Sequence, residues 1–339
     1  MYSLIEERKN IKSFKSINNK LLEVRDSGLY FDDDFISDNV DSYNFDIHGD
    51  NLIYLKGEET FIGKASVSKS ILINSIVNDF ALFSSELSIS DFTLRYEFVN
   101  LNNQEVVLDL GRKPSVKAVF ADLNNAYLNF GNEIICYSCK GAVEKKWVWS
   151  IGGDIERMIG VYEDQLIVAC TNHRIYTIDI RDGNTTYKYQ ELPGLEIGMD
   201  YQNVIPESTD FVLDKREGKL IGLFHTYLIE IFLNHNEISY VSLMEEMKEY
   251  GINSFRRFLN NAISDGYIYA VGHKVDSSSS NVEFDSLVIL SRRTNKVEWQ
   301  YDFREVGLGT NTPIIDDNLL YQKDLNNGLH VFRQVDQLA

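Results

Sequence analysis

The run Asp164-Gln165-Leu166-Ile167-Val168-Ala169-Cys170, Thr171-Asn172-His173-Arg174, Ile175-Tyr176-Thr177-Ile178-Asp179-Ile180, Arg181-Asp182-Gly183-Asn184, Thr185-Thr186-Tyr187-Lys188-Tyr189 holds one complete structural phrase. An aliphatic run is followed by a polar loop, a second β-rich run, a tight turn and a third run, the pattern of consecutive antiparallel strands. The Asp182-Gly183 pair supplies the positive φ that a short hairpin turn needs.

The phrase recurs with different spacers. Leu220 to Phe224 and Leu228 to Phe232 lead to Ile238-Ser239-Tyr240, and Tyr267 to Val271 and Leu287 to Leu290 lead to Lys296-Val297-Glu298-Trp299. Ala126 to Phe130 and Ile134 to Tyr137 lead to Lys146-Trp147-Val148-Trp149. Asn318 to Tyr321 pairs with Leu329 to Phe332 close to the last residue. Turn markers at Asp50, Asp79, Asn125, Asp164, Gly218, Asp265 and Asp317 recur at intervals near the roughly 40–50 residues of one four-stranded propeller blade. Seven markers predict seven blades. The last unit lacks an outer strand, and the segment Lys20 to Val24 with Leu29 to Phe31 is expected to supply it by pairing with Leu329 to Phe332, which removes an exposed edge.

The unit from Leu166 to Tyr189 resembles the repeat of quinoprotein-like (PQQ-like) β-propellers, which also share their architecture with WD40-like propellers. Asn295-Lys296-Val297-Glu298-Trp299 is similar to the end of that repeat, with Trp299 in its Trp position. The resemblance implies an all-β, seven-bladed, single-domain propeller with approximate blades 43–76, 79–110, 116–151, 157–190, 210–242, 255–303 and 312–334 completed by 20–35. The competing architecture is two β-sandwich or barrel domains, but sandwiches do not ordinarily repeat a strand–turn–aromatic phrase.

Charge narrows the function. The 339 residues carry 33 Lys and Arg against 51 Asp and Glu, a net −18. Such a chain is a poor match for the phosphate backbone, which needs clustered cations. A basic protein partner is the expectation, met by a monomer. No run approaches the roughly 18 apolar residues of a membrane-spanning helix. The mixed charges of Met1 to Lys9 lead into no apolar stretch, so no secretory signal is read and a cytoplasmic location is expected. Cys136, Cys139 and Cys170 form an odd set without a disulfide framework. Cys136-Tyr137-Ser138-Cys139 has the spacing of zinc and redox sites, but on a strand its two cysteines face opposite sides.

The PQQ-like resemblance implies that ligands meet the loops between second and third strands and the links between blades. Those loops run from Lys56 to Glu59, Thr171 to Arg174, His225 to Tyr227, His273 to Asp285 and Lys323 to Asn327. His173, His225 and His273 could converge on a metal or anion, although their offsets differ and no carboxylate matches all three, so independent loop histidines are expected. Ser242-Leu243-Met244-Glu245 matches a capping box for a short helix stopped at Gly251, which brings Glu245 and Glu246 beside the same face. Asp276 opens the polar insertion Asp276-Ser277-Ser278-Ser279-Ser280-Asn281. The candidate binding residues are therefore Glu58, Glu59, His173, Arg174, His225, Tyr227, Glu245, Glu246, His273, Asp276 and Asp324.

Catalytic signatures are missing: there is no Gly-x-Ser-x-Gly elbow, phosphate loop or His-Glu-x-x-His. Quinoprotein dehydrogenases carry adjacent cysteines and a Trp-rich docking motif, whereas this chain has no adjacent cysteines and only Trp147, Trp149 and Trp299. Asp32-Asp33-Asp34 and Glu58-Glu59 could pair carboxylates for glycoside chemistry, but nothing in the sequence frames them together. The expectation is a non-catalytic binding propeller without cofactor or metal. Its narrower forms are a bacterial immunity or inhibitor protein against a basic toxin, a WD40-like scaffold, or a carbohydrate-active or carbohydrate-binding propeller.

Overall fold

The computed structural model describes the chain except residues 1, 18–19, 49–50, 58, 63–64, 68–71, 89–92, 115–117, 172, 198–200, 207–210, 256–261, 276–282, 304–305, 309–311 and 336–339. The opening phrase folds as one antiparallel sheet of Ile155–Tyr162, Gln165–Cys170, Arg174–Asp179 and Thr185–Tyr189, paired in chain order. Its second strand is buried almost throughout, whereas Thr185–Tyr189 at the edge is exposed in four of five positions. That gradient explains why the second strand reads as an unbroken aliphatic run and the edge strand as Thr, Tyr and Lys.

Among the described residues, eight sheets follow this plan, and the chain is an eight-bladed β-propeller. Blade 1 comprises Ile11–Ile17, Lys20–Arg25, Gly28–Phe31 and Asp34–Ser37, and blade 2 comprises Val40–His48, Asn51–Lys56, Glu59–Ile62 and Ala65–Val67. Blade 3 runs from Leu72 to Pro114, blade 4 from Ala118 to Ser150, and blade 5 is the sheet above. A two-stranded ribbon, Glu191–Ile197 with Tyr201–Val204, precedes blade 6, which comprises Phe211–Asp214, Lys219–Phe224, Tyr227–Phe232 and Glu237–Ser242. Blade 7 comprises Ser254–Phe255, Tyr267–Val275, Glu283–Ser291 and Val297–Asp302, with Ala262–Ile263 also pairing its second strand. Blade 8 comprises Ile314–Asp316, Leu319–Lys323, Leu329–Gln334 and, as its outer strand, Tyr2–Arg8.

The expectation of seven blades is thus corrected to eight. An N-terminal strand does complete the last blade, but it is Tyr2–Arg8, in the register Tyr2↔Gln334, Leu4↔Phe332 and Arg8↔Leu329. Lys20–Arg25, assigned that role from the sequence, instead pairs with Ile11–Ile17 inside a blade of its own. Two strands were hidden by their charges: Tyr-Ser-Leu-Ile-Glu-Glu-Arg and Ile-Lys-Ser-Phe-Lys-Ser-Ile lack an apolar run. Tyr2–Arg8 is an edge strand, where charged side chains suppress unwanted pairing, and so it looks like an ordinary polar terminus.

Packing divides the chain into two compact units, one of Met1–Asp26, Tyr30–Phe35 and Leu192–Ala339, the other of Ser27–Leu29 and Ile36–Glu191. Within each, apolar clusters join consecutive blades. In the second unit, Tyr127, Ile134 and Trp147 of blade 4 meet Ile155, Leu166 and Val168 of blade 5. Here the Trp147 indole donates to the Ile180 carbonyl at 2.9 Å. A Cβ on Gly183, whose φ is +78°, would come within 2.8 Å of the same indole, so the tight turn needs glycine for backbone conformation and for space. In the first unit, Val271, Leu287 and Phe303 pack with Leu320, Phe332 and Tyr2.

The predicted short helix is present as Met244–Glu249. Its capping box is not formed: Leu243 occupies the cap without a side-chain hydrogen bond, and Glu245 turns to Lys248 at 2.7 Å. Among the described residues, no helix is long and apolar enough to cross a membrane.

Candidate functional site

The hairpin Asp324-Leu325-Asn326-Asn327-Gly328 joins the second and third strands of blade 8, one of the loops singled out by the sequence. Asp324 organises it. One carboxylate oxygen accepts the Asn326 and Gly328 N–H groups at 2.8 and 2.7 Å, and its own N–H donates to the Gly328 carbonyl at 2.9 Å. A Cβ on Gly328 would lie 2.5 Å from the other oxygen. That second oxygen accepts a hydrogen bond from His330 Nε2 at 2.8 Å.

His330 lies on the buried strand Leu329–Gln334, only 9% exposed, with its ring edge-on to Phe303 at 4.8 Å. A carboxylate can only accept, so the Nε2–H is fixed and the neutral ring presents a lone pair at Nδ1. Nδ1 has no hydrogen-bond partner, and the nearest anion is Glu7 Oε1 at 3.7 Å, beyond hydrogen-bond reach.

A cavity of about 660 Å³ opens over this pair. The outer strand of blade 8 and the turn after it supply Glu7, Arg8, Lys9 and Asn10; the end of blade 7 and the following link supply Tyr301, Asp302, Phe303 and Val306; and the hairpin supplies Asp324, Asn326 and Gly328. The volume lies within the usual range for ligand pockets, roughly 300–1,000 Å³. Aromatic and aliphatic walls with a few convergent polar groups are also the usual lining.

The charges are unequally committed. Burial alone would lower the Arg8 pKa, but Glu23, Glu6 and Asp33 outweigh it and hold the guanidinium above its ordinary value. Its ion pairs are 2.9 Å to Glu6, 3.1 Å to the fully buried Glu23 and 3.2 Å to Asp33. Asp302 is paired with Lys274 at 3.2 Å. Burial, with Glu7 adding to it, raises the Tyr301 pKa and keeps the phenol neutral. Glu7 remains half exposed beside the His330 ring.

The other predicted residues do not gather here. Glu59 starts the third strand of blade 2 and is exposed, while Glu58 and Asp276 lie outside the described residues. His173 and His225 occupy turns between second and third strands, each with positive φ, followed by Arg174 and Tyr227 at the starts of the third strands. Tyr227 packs edge-on to Tyr240 at 6.1 Å. His273, placed in a loop by the sequence, is instead on the second strand of blade 7 opposite Asp285, because that hairpin continues to Val275 and resumes at Glu283. Glu246 accepts the Val297 N–H at 2.7 Å and ties the short helix to blade 7. Among the described residues, no group of three or more His, Cys, Asp or Glu could hold a metal ion.

The cysteines also stay apart. Cys136 belongs to the apolar cluster shared with blade 5 and Cys139 to the one shared with blade 3. Burial pushes the Cys136 thiol up to about 12 and the Cys139 thiol up to about 11, so both are inert as nucleophiles. Asp33 is consumed structurally: the Arg25 hydrogen bond, with Arg8 adding to it, holds its carboxyl below the usual range.

Of the predicted list, only Asp324 lines the cavity. Glu7, Tyr301 and His330 were missed because they sit on strands rather than loops, and Phe303 follows directly on the last strand of blade 7. One signal was available: His330 interrupts the apolar strand Leu329-His330-Val331-Phe332 six residues after a turn-forming aspartate, and a buried polar side chain needs a partner.

No family model matches the chain, and no curated protein matches it. Among solved structures, the computationally designed Ika8 protein is similar over 98% of this chain and 98% of its own, at 10% identity and a TM-score of 0.60. BamB from Moraxella catarrhalis is similar over 100% of this chain and 99% of its own, at 11% identity and a TM-score of 0.59. The chain is a β-propeller similar to BamB, a PQQ-like propeller, and to a designed propeller. At such identities the likeness concerns the fold alone.

Proposed function

We propose that this chain is a non-catalytic, protein-binding β-propeller whose partner is basic. The observation that carries the reading is the cavity on blade 8, lined by Glu7, Asp302 and Asp324 on a chain of net charge −18. Arg8 is engaged by three carboxylates, His330 by Asp324 and Asp302 by Lys274, which leaves Glu7 and the His330 Nδ1 lone pair as acceptors beside the one cation Lys9. A surplus of acceptors in a partly desolvated recess selects cationic groups, and the long-range field accelerates encounter with a basic protein at low salt. Blades tied by backbone ladders give a preorganised surface, which lowers the ordering cost of binding.

The narrower form of the proposal is an inhibitor that neutralises a basic toxin, as a bacterial immunity protein does. A scaffold would hold its partner without changing the partner's activity, whereas an inhibitor abolishes that activity at a stoichiometric ratio. Affinity capture from the native cell at about 50 mM salt, followed by a salt gradient, tests the reading. The expected result is a stoichiometric protein of basic isoelectric point whose retention falls steeply between about 50 and 300 mM salt, as screening shortens the Debye length. Recovery of no protein, or of an acidic one indifferent to salt, overturns it.

A further inference from the structure

We propose that the blade 8 cavity is a receptor for a single organic cation, the ammonium or guanidinium end of a lysine or arginine side chain on the basic partner. This rests on the reading above, and it goes further by naming the atoms that would hold the partner. His330 is nine-tenths buried, lines the cavity, and has an Nδ1 without a hydrogen-bond partner. Asp324 accepts from Nε2, so in the neutral ring Nδ1 is an acceptor waiting for a donor. An unsatisfied buried acceptor is costly, and a ligand that satisfies it recovers that cost.

The second acceptor is Glu7, whose Oε1 is 3.7 Å from Nδ1. Two acceptors at that separation are too far apart to serve each other, and neither can donate while the ring is neutral. One nitrogen carrying two or three N–H groups can sit at ordinary hydrogen-bond distance from both, which an ammonium or the terminal nitrogen of a guanidinium provides. The walls suit the rest of such a side chain. Tyr301 and Phe303 offer aromatic surface to the cation and Val306 offers apolar surface to its methylene stem. A doubly protonated His330 would direct Nδ1–H at Glu7 and compete with the ligand, so the site favours a cation when the ring is neutral. The charged groups in contact with that ring are Asp324 and Glu7, its packing neighbour Phe303 is uncharged, and Arg8, Lys9 and Asp302 line the same cavity.

The test titrates the purified full chain with n-butylguanidinium, n-butylammonium and the neutral isostere n-butylurea at low salt and pH 8, following the His330 ring by NMR. Saturable binding of both cations is expected, with n-butylurea weaker by about tenfold or more, the scale of one charge-assisted hydrogen bond. Glu7→Gln, at a half-exposed position that should leave folding intact, is expected to weaken cation binding by about five- to tenfold. Glu237→Gln, exposed on the outer strand of blade 6 and not part of the cavity lining, should leave it unchanged. Equal binding of the urea, no loss in Glu7→Gln, or no saturation by tens of millimolar cation overturns the proposal. The two levels fail differently. A captured basic partner whose affinity is the same for Glu7→Gln and wild type removes the pocket assignment and leaves the binding reading standing, whereas cation binding without any basic partner removes the reading and leaves the pocket.

Discussion

Two hairpins of this propeller begin with the same sequence device and end in different roles. Asp179-Ile180-Arg181-Asp182-Gly183 joins the third and fourth strands of blade 5, and Asp324-Leu325-Asn326-Asn327-Gly328 joins the second and third strands of blade 8. In both, the aspartate accepts an N–H from two residues on, at 2.8 Å, and a glycine follows four residues after it. In both, that glycine leaves no room for a Cβ, against Trp147 in the first and against Asp324 itself in the second. They diverge in where the aspartate spends its remaining oxygen. Asp179 gives it to Arg181 within the same turn, at 2.5 Å, and the glycine becomes a seat for Trp147 from blade 4. Asp324 gives it to His330, which fixes a buried imidazole with one nitrogen left over beside a cavity. Turn chemistry alone thus makes a hairpin, and the residue facing the turn decides whether it becomes a packing joint or the wall of a cavity.

The contrast can be broken at either end. Trp147→Ala should have the largest effect, about 3–5 kcal/mol of stability in thermal or denaturant unfolding, because it empties a buried aromatic site and leaves the Ile180 carbonyl without its indole donor. A cost below about 1 kcal/mol would mean that the blade 4–blade 5 joint is held elsewhere. Gly183→Ala follows at about 2–3 kcal/mol, since it forces a side chain into positive φ and against the indole at once.

At the other hairpin, Asp324→Asn should cost about 1–2 kcal/mol, as a neutral amide still accepts the turn N–H groups but less strongly. Its sharper signature is chemical. An Asn amide that offers its NH₂ to Nε2 transfers the imidazole proton to Nδ1, so ¹⁵N shifts of His330 should report the opposite tautomer. An unchanged tautomer would show that Asp324 does not set it.

The smallest effect belongs to Arg181→Ala. The Arg181 side-chain hydrogen bond, with its backbone N–H adding to it, lowers the Asp179 carboxyl to about 2. Removing the guanidinium should return it toward the ordinary value of about 3.9, read by NMR titration. A depressed carboxyl pKa contributes stability that is present above its unfolded value and lost as pH falls through the folded one, so the wild-type chain should lose this increment between about pH 4 and 2. For a pair at the surface, screened by solvent, the increment is small.

Legibility followed the same physics. Blade 5 was readable because its second strand is buried on both faces and its turn carries Asp-Gly, and Asp324 was found because it lies in the loop between the second and third strands of the last repeat. The count fell short by one because Tyr2–Arg8 and Ile11–Ile17 hide their pairing behind Glu, Arg and Lys. With those strands unseen, Lys20–Arg25 was the first apolar run available and was drawn into a role that Tyr2–Arg8 fills. Glu7 and His330 were invisible as site residues for a related reason: they meet only because the two ends of the chain pair in one sheet, Glu7 opposite His330. Composition and local pattern carry no trace of a contact between residues at opposite ends of a sequence.

The most direct test of the account is amide hydrogen–deuterium exchange of the full chain, free and bound to its captured basic partner. Slowed exchange at Asn326 to Gly328 and at Lys9 and Asn10, with Arg181 to Asn184 unchanged, is the predicted footprint. Protection at the Asp179 hairpin with none at the Asp324 hairpin, or protection at neither, would contradict it.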